Sequence, residues 1–349
     1  MKKKVPFLTV IVVSVLLLAA VFLFLKTKEY RELETGPELT GSGVTWAGWI
    51  PYWDAQDGLT ELYSYDVMPS DVVAFAALFS LPHDDILILE PVGEILGHLA
   101  GIQRETRDVF LSYTNDVQKT DGTFIQKDRE ILWRLLGTDS ATDVHIEKLI
   151  EVALSYGVDG IEIDYESIKD DTELWQRYCL FLDKLYHAAS EKGLRLRAVL
   201  AWNSVDFVNF PPGPEYVVMC YNLYGTHSGP GPKADKDFLE KTFAKNSRLP
   251  GEVSMALANG GFDWSGGTCR AVTEKQAAEL AALYKAQVFR DESSQALFFS
   301  YIDRDGISHD VWFADKATLY YWTGLAIGNE YTKITFWRFG GNDELLSLR

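Results

Sequence analysis

Apolar and polar positions along this chain follow two rhythms. Short apolar and aromatic runs bounded by Gly, Pro, Asp or Asn occupy residues 44–53, 71–80, 108–113, 157–166, 194–202, 216–221, 252–259 and 333–337. Runs of this length read as buried strands. Between them lie longer amphipathic stretches, such as 141–156, 171–192 and 273–288, which read as helices, with Thr273 as an N-cap of the last. Eight strands separated by crossovers predict an α/β fold, a (β/α)8 barrel. A doubly wound open sheet shares the alternation, but no Gly-rich phosphate loop follows the first strand. The stretch 265–333 exceeds one crossover helix and carries a hairpin pattern, ALFFSYI and ISHDVWF around a turn at Asp305-Gly306. It predicts a small α+β insertion between strands seven and eight.

The N-terminus departs from both rhythms. Residues 5–25 form an apolar run without a charge, preceded by Lys2, Lys3 and Lys4. About 20 such residues, rising 1.5 Å each, span a hydrocarbon core of ~30 Å. The run predicts a transmembrane helix within an N-terminal signal anchor (1–25), with the lysines in the cytoplasm. Residues 26–43 read as a polar linker, and 44–349 as a monomeric, extracytoplasmic domain tethered to the cell membrane. A cleaved signal peptide, and hence a secreted protein, is the alternative. Phe22-Leu23-Phe24-Leu25 stands where small residues would precede such a cleavage site.

Charge narrows the partners. The 349 residues hold 33 Lys and Arg against 50 Asp and Glu, a net charge of −17. Such a surface repels phosphate backbones, so no nucleic-acid partner is expected. Three cysteines without a CxxC pair, and six histidines without ligand spacing, give no reason to expect a disulfide framework, a metal or a cofactor. Aromatics make up 13% of the chain, with ten Trp. They serve as core, and Trp and Tyr also make stacking surfaces for sugar rings.

The candidate chemistry lies in Asp159-Gly160-Ile161-Glu162-Ile163-Asp164-Tyr165-Glu166. Side chains alternate along a strand, so Glu162, Asp164 and Glu166 share a face, each ~6.6 Å beyond the last. An ordinary half-buried strand with a wet acidic face would have this pattern. Stacked like charges repel, however, and both faces of a parallel barrel strand are covered. The acids would then line the barrel interior and rise to its C-terminal mouth, where barrel active sites sit. Crowded, desolvated carboxylates hold protons towards neutrality, as an acid catalyst requires. Glu166, nearest the mouth, is the candidate proton donor, with Asp164 one step below to orient substrate or stabilise positive charge. A divalent-metal site is the rival reading, without a His on the barrel-facing strands to support it.

DGIEIDYE resembles the DxxDxDxE signature of glycoside hydrolase family 18, the chitinase-like enzymes, with Glu162 where the family has Asp. Other pieces follow in the family's order. Ser112-Tyr113-Thr114-Asn115 is similar to the third strand of its spore-cortex branch. Met219-Cys220-Tyr221-Asn222 resembles the sixth strand, with Asn222 in place of an acid. Gly229-Pro230-Gly231-Pro232, Gly261-Phe262-Asp263-Trp264 and Phe336-Trp337-Arg338-Phe339-Gly340 resemble later segments. The resemblance covers about 44–349. It implies a retaining, substrate-assisted glycosidase, an exception to the scheme of two opposed carboxylates. It makes Glu166 the acid and base, Asp164 the holder of the acetamido N–H, Tyr221 the partner of the acetamido carbonyl and Trp337 the floor of the cleavage subsite. Glu162 and Asn222 become supporting substrate-site residues, and Trp53, Trp202 and Trp264, at strand ends, are candidate sugar platforms. The implied substrate is a β-linked N-acetylglucosamine polysaccharide, peptidoglycan ahead of chitin. A catalytically silent sugar-binding barrel at the cell surface is the alternative.

Overall fold

The computed structural model describes residues 43–65, 68–101 and 107–342. Eight parallel strands close into a barrel: β1 (Thr45–Pro51), β2 (Asp71–Ser80), β3 (Asp108–Gln118), β4 (Gly160–Asp164), β5 (Arg195–Ala201), β6 (Glu215–Met219), β7 (Val253–Ala258) and β8 (Lys333–Trp337). Each pairs with its sequence neighbour, and β8 pairs with both β1 and β7, so no barrel edge is left open. The helices are α1 (Ala55–Leu62), α2 (Val92–Gly101), α3 (Arg129–Leu136), α4 (Asp139–Tyr156), α5 (Thr172–Glu191), α6 (Lys236–Asn246), α7 (Glu274–Tyr284) and α8 (Lys316–Gly328). The expected (β/α)8 architecture holds.

Local chemistry sets the boundaries. Gly157, read as the start of a strand, ends α4 instead: it takes a left-handed φ of 64°, which costs glycine little. The Asp171 side chain caps α5 through Leu174 N, and Thr273 and Gln276 form a capping box at α7. β4 stops at Asp164 and β6 at Met219, so Glu166, Tyr221 and Asn222 stand past their strands at the C-terminal mouth.

Alternation then sorts the layers. Ile161, Ile163 and Tyr165 point outward against the helices, where Tyr165 Oη lies 2.7 Å from His145 Nε2 on α4. Inside pack Trp49, Val73, Phe110, Val199, Val217 and Ala256. The insertion between β7 and β8 is a five-stranded antiparallel sheet covered by α7, and it holds the expected hairpin, Leu297–Ile302 with Ser308–Ala314. It begins at Gly260, five residues ahead of the expected position, and Gly261 admits close strand approach there. A Cβ there would lie 1.7 Å from the Trp312 carbonyl oxygen.

The membrane placement expected from the apolar run is corrected. Among the described residues no helix is long and apolar enough to cross a membrane. The longest, α5, interrupts its apolar stripe with Glu173, Arg177, Asp183, Lys184 and Glu191. The expected anchor over 5–25 and most of the linker lie outside the described residues.

Candidate active site

The three acids of β4 meet three environments. Glu162 is fully buried, in register with Ser112 of β3 and Arg197 of β5. It accepts a 2.6 Å hydrogen bond from Trp49 Nε1 and lies 3.1 Å from Arg197 Nε. Arg197 is itself buried and donates to Thr335 Oγ1 at 3.1 Å, with Asp71 and Glu215 at 3.6 and 3.8 Å. Glu162 therefore belongs to an ionic floor across the barrel, beneath the cavity described next and outside its lining. Burial pushes its carboxyl above the usual range, against the opposing Arg197 guanidinium.

One step up, Asp164 is buried at the base of a 500 Å³ cavity. Burial pushes its carboxyl up to about 7; Lys127 opposes the shift, while Glu166 and Glu162 add to it. Glu166 lies beyond the strand with its side chain 27% exposed. Its backbone N–H donates to Asn115 Oδ1 at 2.9 Å, and its carbonyl accepts from Asn115 Nδ2 at 3.0 Å. One β3 side chain thus fixes the peptide that carries the outermost acid. The Glu166 carboxylate is hydrogen-bonded by Lys127, whose Nζ also stands 3.6 Å from Asp164 Oδ2. Burial drives the Lys127 ammonium down, but Asp164, Glu166 and Asp116 outweigh it and hold it charged.

Tyr221 lines the same cavity. Burial, reinforced by Asp164 and Glu166, keeps its phenol well above its ordinary pKa and so a hydrogen-bond donor. Asn222 follows in a left-handed conformation, φ 69°, which Asn tolerates better than most residues. The floor is the Trp337 indole, with Trp49 and Phe75 at ring separations of 5.7 and 5.2 Å. Trp53, 52% exposed, stands beside it at 6.3 Å. Exposed indole faces and a few convergent polar groups suit a sugar ring.

Of the residues singled out from the sequence, Asp164, Glu166, Tyr221, Asn222, Trp337 and Trp53 all line this one cavity. Trp202 and Trp264 do not. Trp202 packs against Phe238 of α6 with Lys245 over its ring, and Trp264 is buried against Phe262, donating to the Gly225 carbonyl. Lys127, Gln126 and Asp116 are additions. They come from the end of β3 and the segment after it, which carries no strand or helix periodicity that would mark it. Among the described residues no group of three His, Cys, Asp or Glu could hold a metal ion.

No family model matches the chain. The cortical fragment-lytic enzyme of Bacillus subtilis is 25% identical over 231 residues, covering 59% of this chain and 52% of that enzyme. The chain thus spans about half the length of the first curated relatives it matches. Among solved structures, the spore cortex-lytic enzyme SleL of Bacillus cereus aligns with a TM-score of 0.71 at 19% identity, over 88% of this chain and 73% of that one. A chitinase from Chromobacterium violaceum aligns with a TM-score of 0.72 at 18% identity, over 86% and 96%. The structural likenesses establish the barrel. Together with the sequence relative they bear out the resemblance to chitinase-like proteins of glycoside hydrolase family 18, spore-cortex enzymes included.

Proposed function

We propose that this chain, similar in sequence and fold to spore cortex-lytic enzymes and chitinases, is a retaining glycosidase that cleaves β-linked N-acetylglucosamine by substrate-assisted catalysis. The observation that carries the reading is the convergence of Glu166, Asp164, Tyr221 and Trp337 on one cavity.

With a pyranose ring seated on Trp337, Glu166 protonates the oxygen of the scissile glycosidic bond. The acetamido carbonyl oxygen of the same sugar attacks C1 as that bond breaks, giving an oxazolinium ion and a free hydroxyl on the departing glycan. Asp164 accepts the acetamido N–H and stabilises the developing positive charge. Tyr221, held as a donor, orients the acetamido carbonyl. The Glu166 carboxylate then takes a proton from water, whose oxygen attacks C1, reopens the ring and restores the β configuration. An intramolecular nucleophile removes the need for a second enzymic carboxylate across the cleft. Lys127 hydrogen-bonds the Glu166 carboxyl group, and Asp164, which holds a proton up to about pH 7, is the adjacent source of the proton with which Glu166 enters the cycle.

The test is the anomeric configuration of the first product. Proton NMR on chitotetraose during early turnover is expected to show the β-anomer first, with the α-anomer rising only through mutarotation. An α-anomer formed first, or no cleavage of chitotetraose or of peptidoglycan glycan strands, overturns the reading.

A further inference from the structure

A second cavity, of 410 Å³, adjoins the first and shares Trp53 and Trp337 with it. Its wall holds two cations, Lys233 and Arg338, and one carboxylate, Asp54. Arg338 and Asp54 are paired with each other. Lys233 is not paired in this way. Its Nζ donates to the Asn259 carbonyl at 2.8 Å and lies 5.2 Å from the centre of the Phe262 ring, and among the described residues no carboxylate forms an ion pair with it. An ammonium has three donors, and one of Lys233's goes to a neutral carbonyl. A desolvated ammonium without a counter-ion is unfavourable. Burial, with Arg338 beside it, lowers its pKa to about 7. In a chain with a net charge of −17, a cavity wall carrying an uncompensated cation is an exception to the surrounding field.

The place of this cavity gives the cation a use. A sugar seated on Trp337 extends its chain to either side, and the second cavity begins at the same indole. In a glycan that alternates N-acetylglucosamine with N-acetylmuramic acid, both neighbours of an N-acetylglucosamine unit carry a lactyl ether. Its carboxyl is either free or linked to a peptide that bears carboxylates of its own. Chitin offers no anion at this position.

We propose that the cavity around Lys233 is a subsite for a carboxylate borne by the muramic acid unit next to the cleaved N-acetylglucosamine. It rests on the glycosidase reading above and narrows the substrate class to anionic wall glycan. Lys233 forms the salt bridge, and Trp53 and Trp337 place the sugar backbone that presents the anion.

Binding tests this without relying on turnover. The full chain carrying Glu166→Gln is titrated calorimetrically at pH 6 with three tetrasaccharides. One is chitotetraose, one is the alternating glycan with free lactyl carboxylates, and one is the same glycan with its peptide stems attached. At least one anionic ligand is expected to bind about tenfold tighter than chitotetraose. Adding Lys233→Met is expected to bring that ratio close to one, and Lys233→Arg to preserve it. Preference confined to the free lactyl form assigns the anion to the lactyl group, whereas preference for the stem-bearing form assigns it to the peptide. Equal affinity for all three ligands, or an anionic preference that survives Lys233→Met, overturns the subsite while leaving the glycosidase reading in place. Failure of all three to bind overturns both.

Discussion

Lys127 donates a hydrogen bond to the Glu166 carboxylate while its ammonium stands 3.6 Å from Asp164. Two acids from one strand end therefore share a single cation supplied by the segment after β3. The cation opposes the upward push that burial and the neighbouring Glu166 exert on the Asp164 carboxyl.

Removing Lys127 changes the pH dependence in a definite direction. Lys127 lowers the pKa of Asp164, so Lys127→Met raises it further above about 7. The protonated form persists to higher pH, and the alkaline limb of kcat/KM is expected to move up by about one unit. A pH–rate profile on chitotetraose checks this, and a limb that stays in place or moves down contradicts it.

Asn115 is expected to act on kcat more than on KM. It touches the backbone of Glu166 through both its oxygen and its nitrogen, and Nδ2 also donates to the Asp128 carbonyl. Asn115→Ala should lower kcat about tenfold through misplacement of the acid and lower stability by about 1–3 kcal/mol. Asn115→Asp, which lacks the Nδ2 donor, should not rescue it. Steady-state kinetics beside urea melts separate the two effects.

Parts of this arrangement were legible in the sequence and parts were not. Period-two alternation places Glu162 and Asp164 on one face of β4, with Glu166 just past its end, and barrel topology turns that face inward. Alternation does not reveal depth. Glu162 reads like its neighbours, yet Arg197, far along the chain on β5, draws it into the floor. The same limit applies to the tryptophans at strand ends. Trp53 and Trp202 look alike in sequence, but Trp53 stands in a turn that overhangs the mouth while Trp202 is taken up by α6. Lys127 belongs to an aperiodic segment, and only the three-dimensional return of that segment over β4 gives it a role. The apolar N-terminal run carried the membrane expectation alone, and no helix among the described residues supports it.

The floor makes a stability prediction. Arg197→Met leaves Glu162 buried without its cation and should lower stability by about 3–5 kcal/mol. Pairing it with Glu162→Gln should recover part of that loss. Urea midpoints for the two single variants and the double variant form the cycle, and strict additivity would contradict the coupling.

His145 makes the chain acid-sensitive. Burial lowers its pKa from 6.5 to about 3 in the folded state. Between those values the unfolded chain binds the proton and the folded one does not. The stability this group contributes is complete above 6.5 and falls as the pH drops towards 3. Asp164 works the other way, its contribution being complete below 3.8 and lost as the pH rises through about 7. Comparison with His145→Gln isolates the histidine. The wild type should lose about 2 kcal/mol more than the variant between pH 7 and pH 5. Parallel pH dependence in the two proteins would contradict it.

Single-turnover hydrolysis of chitotetraose by the wild type and by Glu166→Gln tests the catalytic assignment most directly, with affinity followed alongside by calorimetry. Loss of the general acid is expected to slow glycosidic cleavage by about 10²–10⁴ while binding stays within about twofold. A Glu166→Gln protein that cleaves at the wild-type rate would contradict the account.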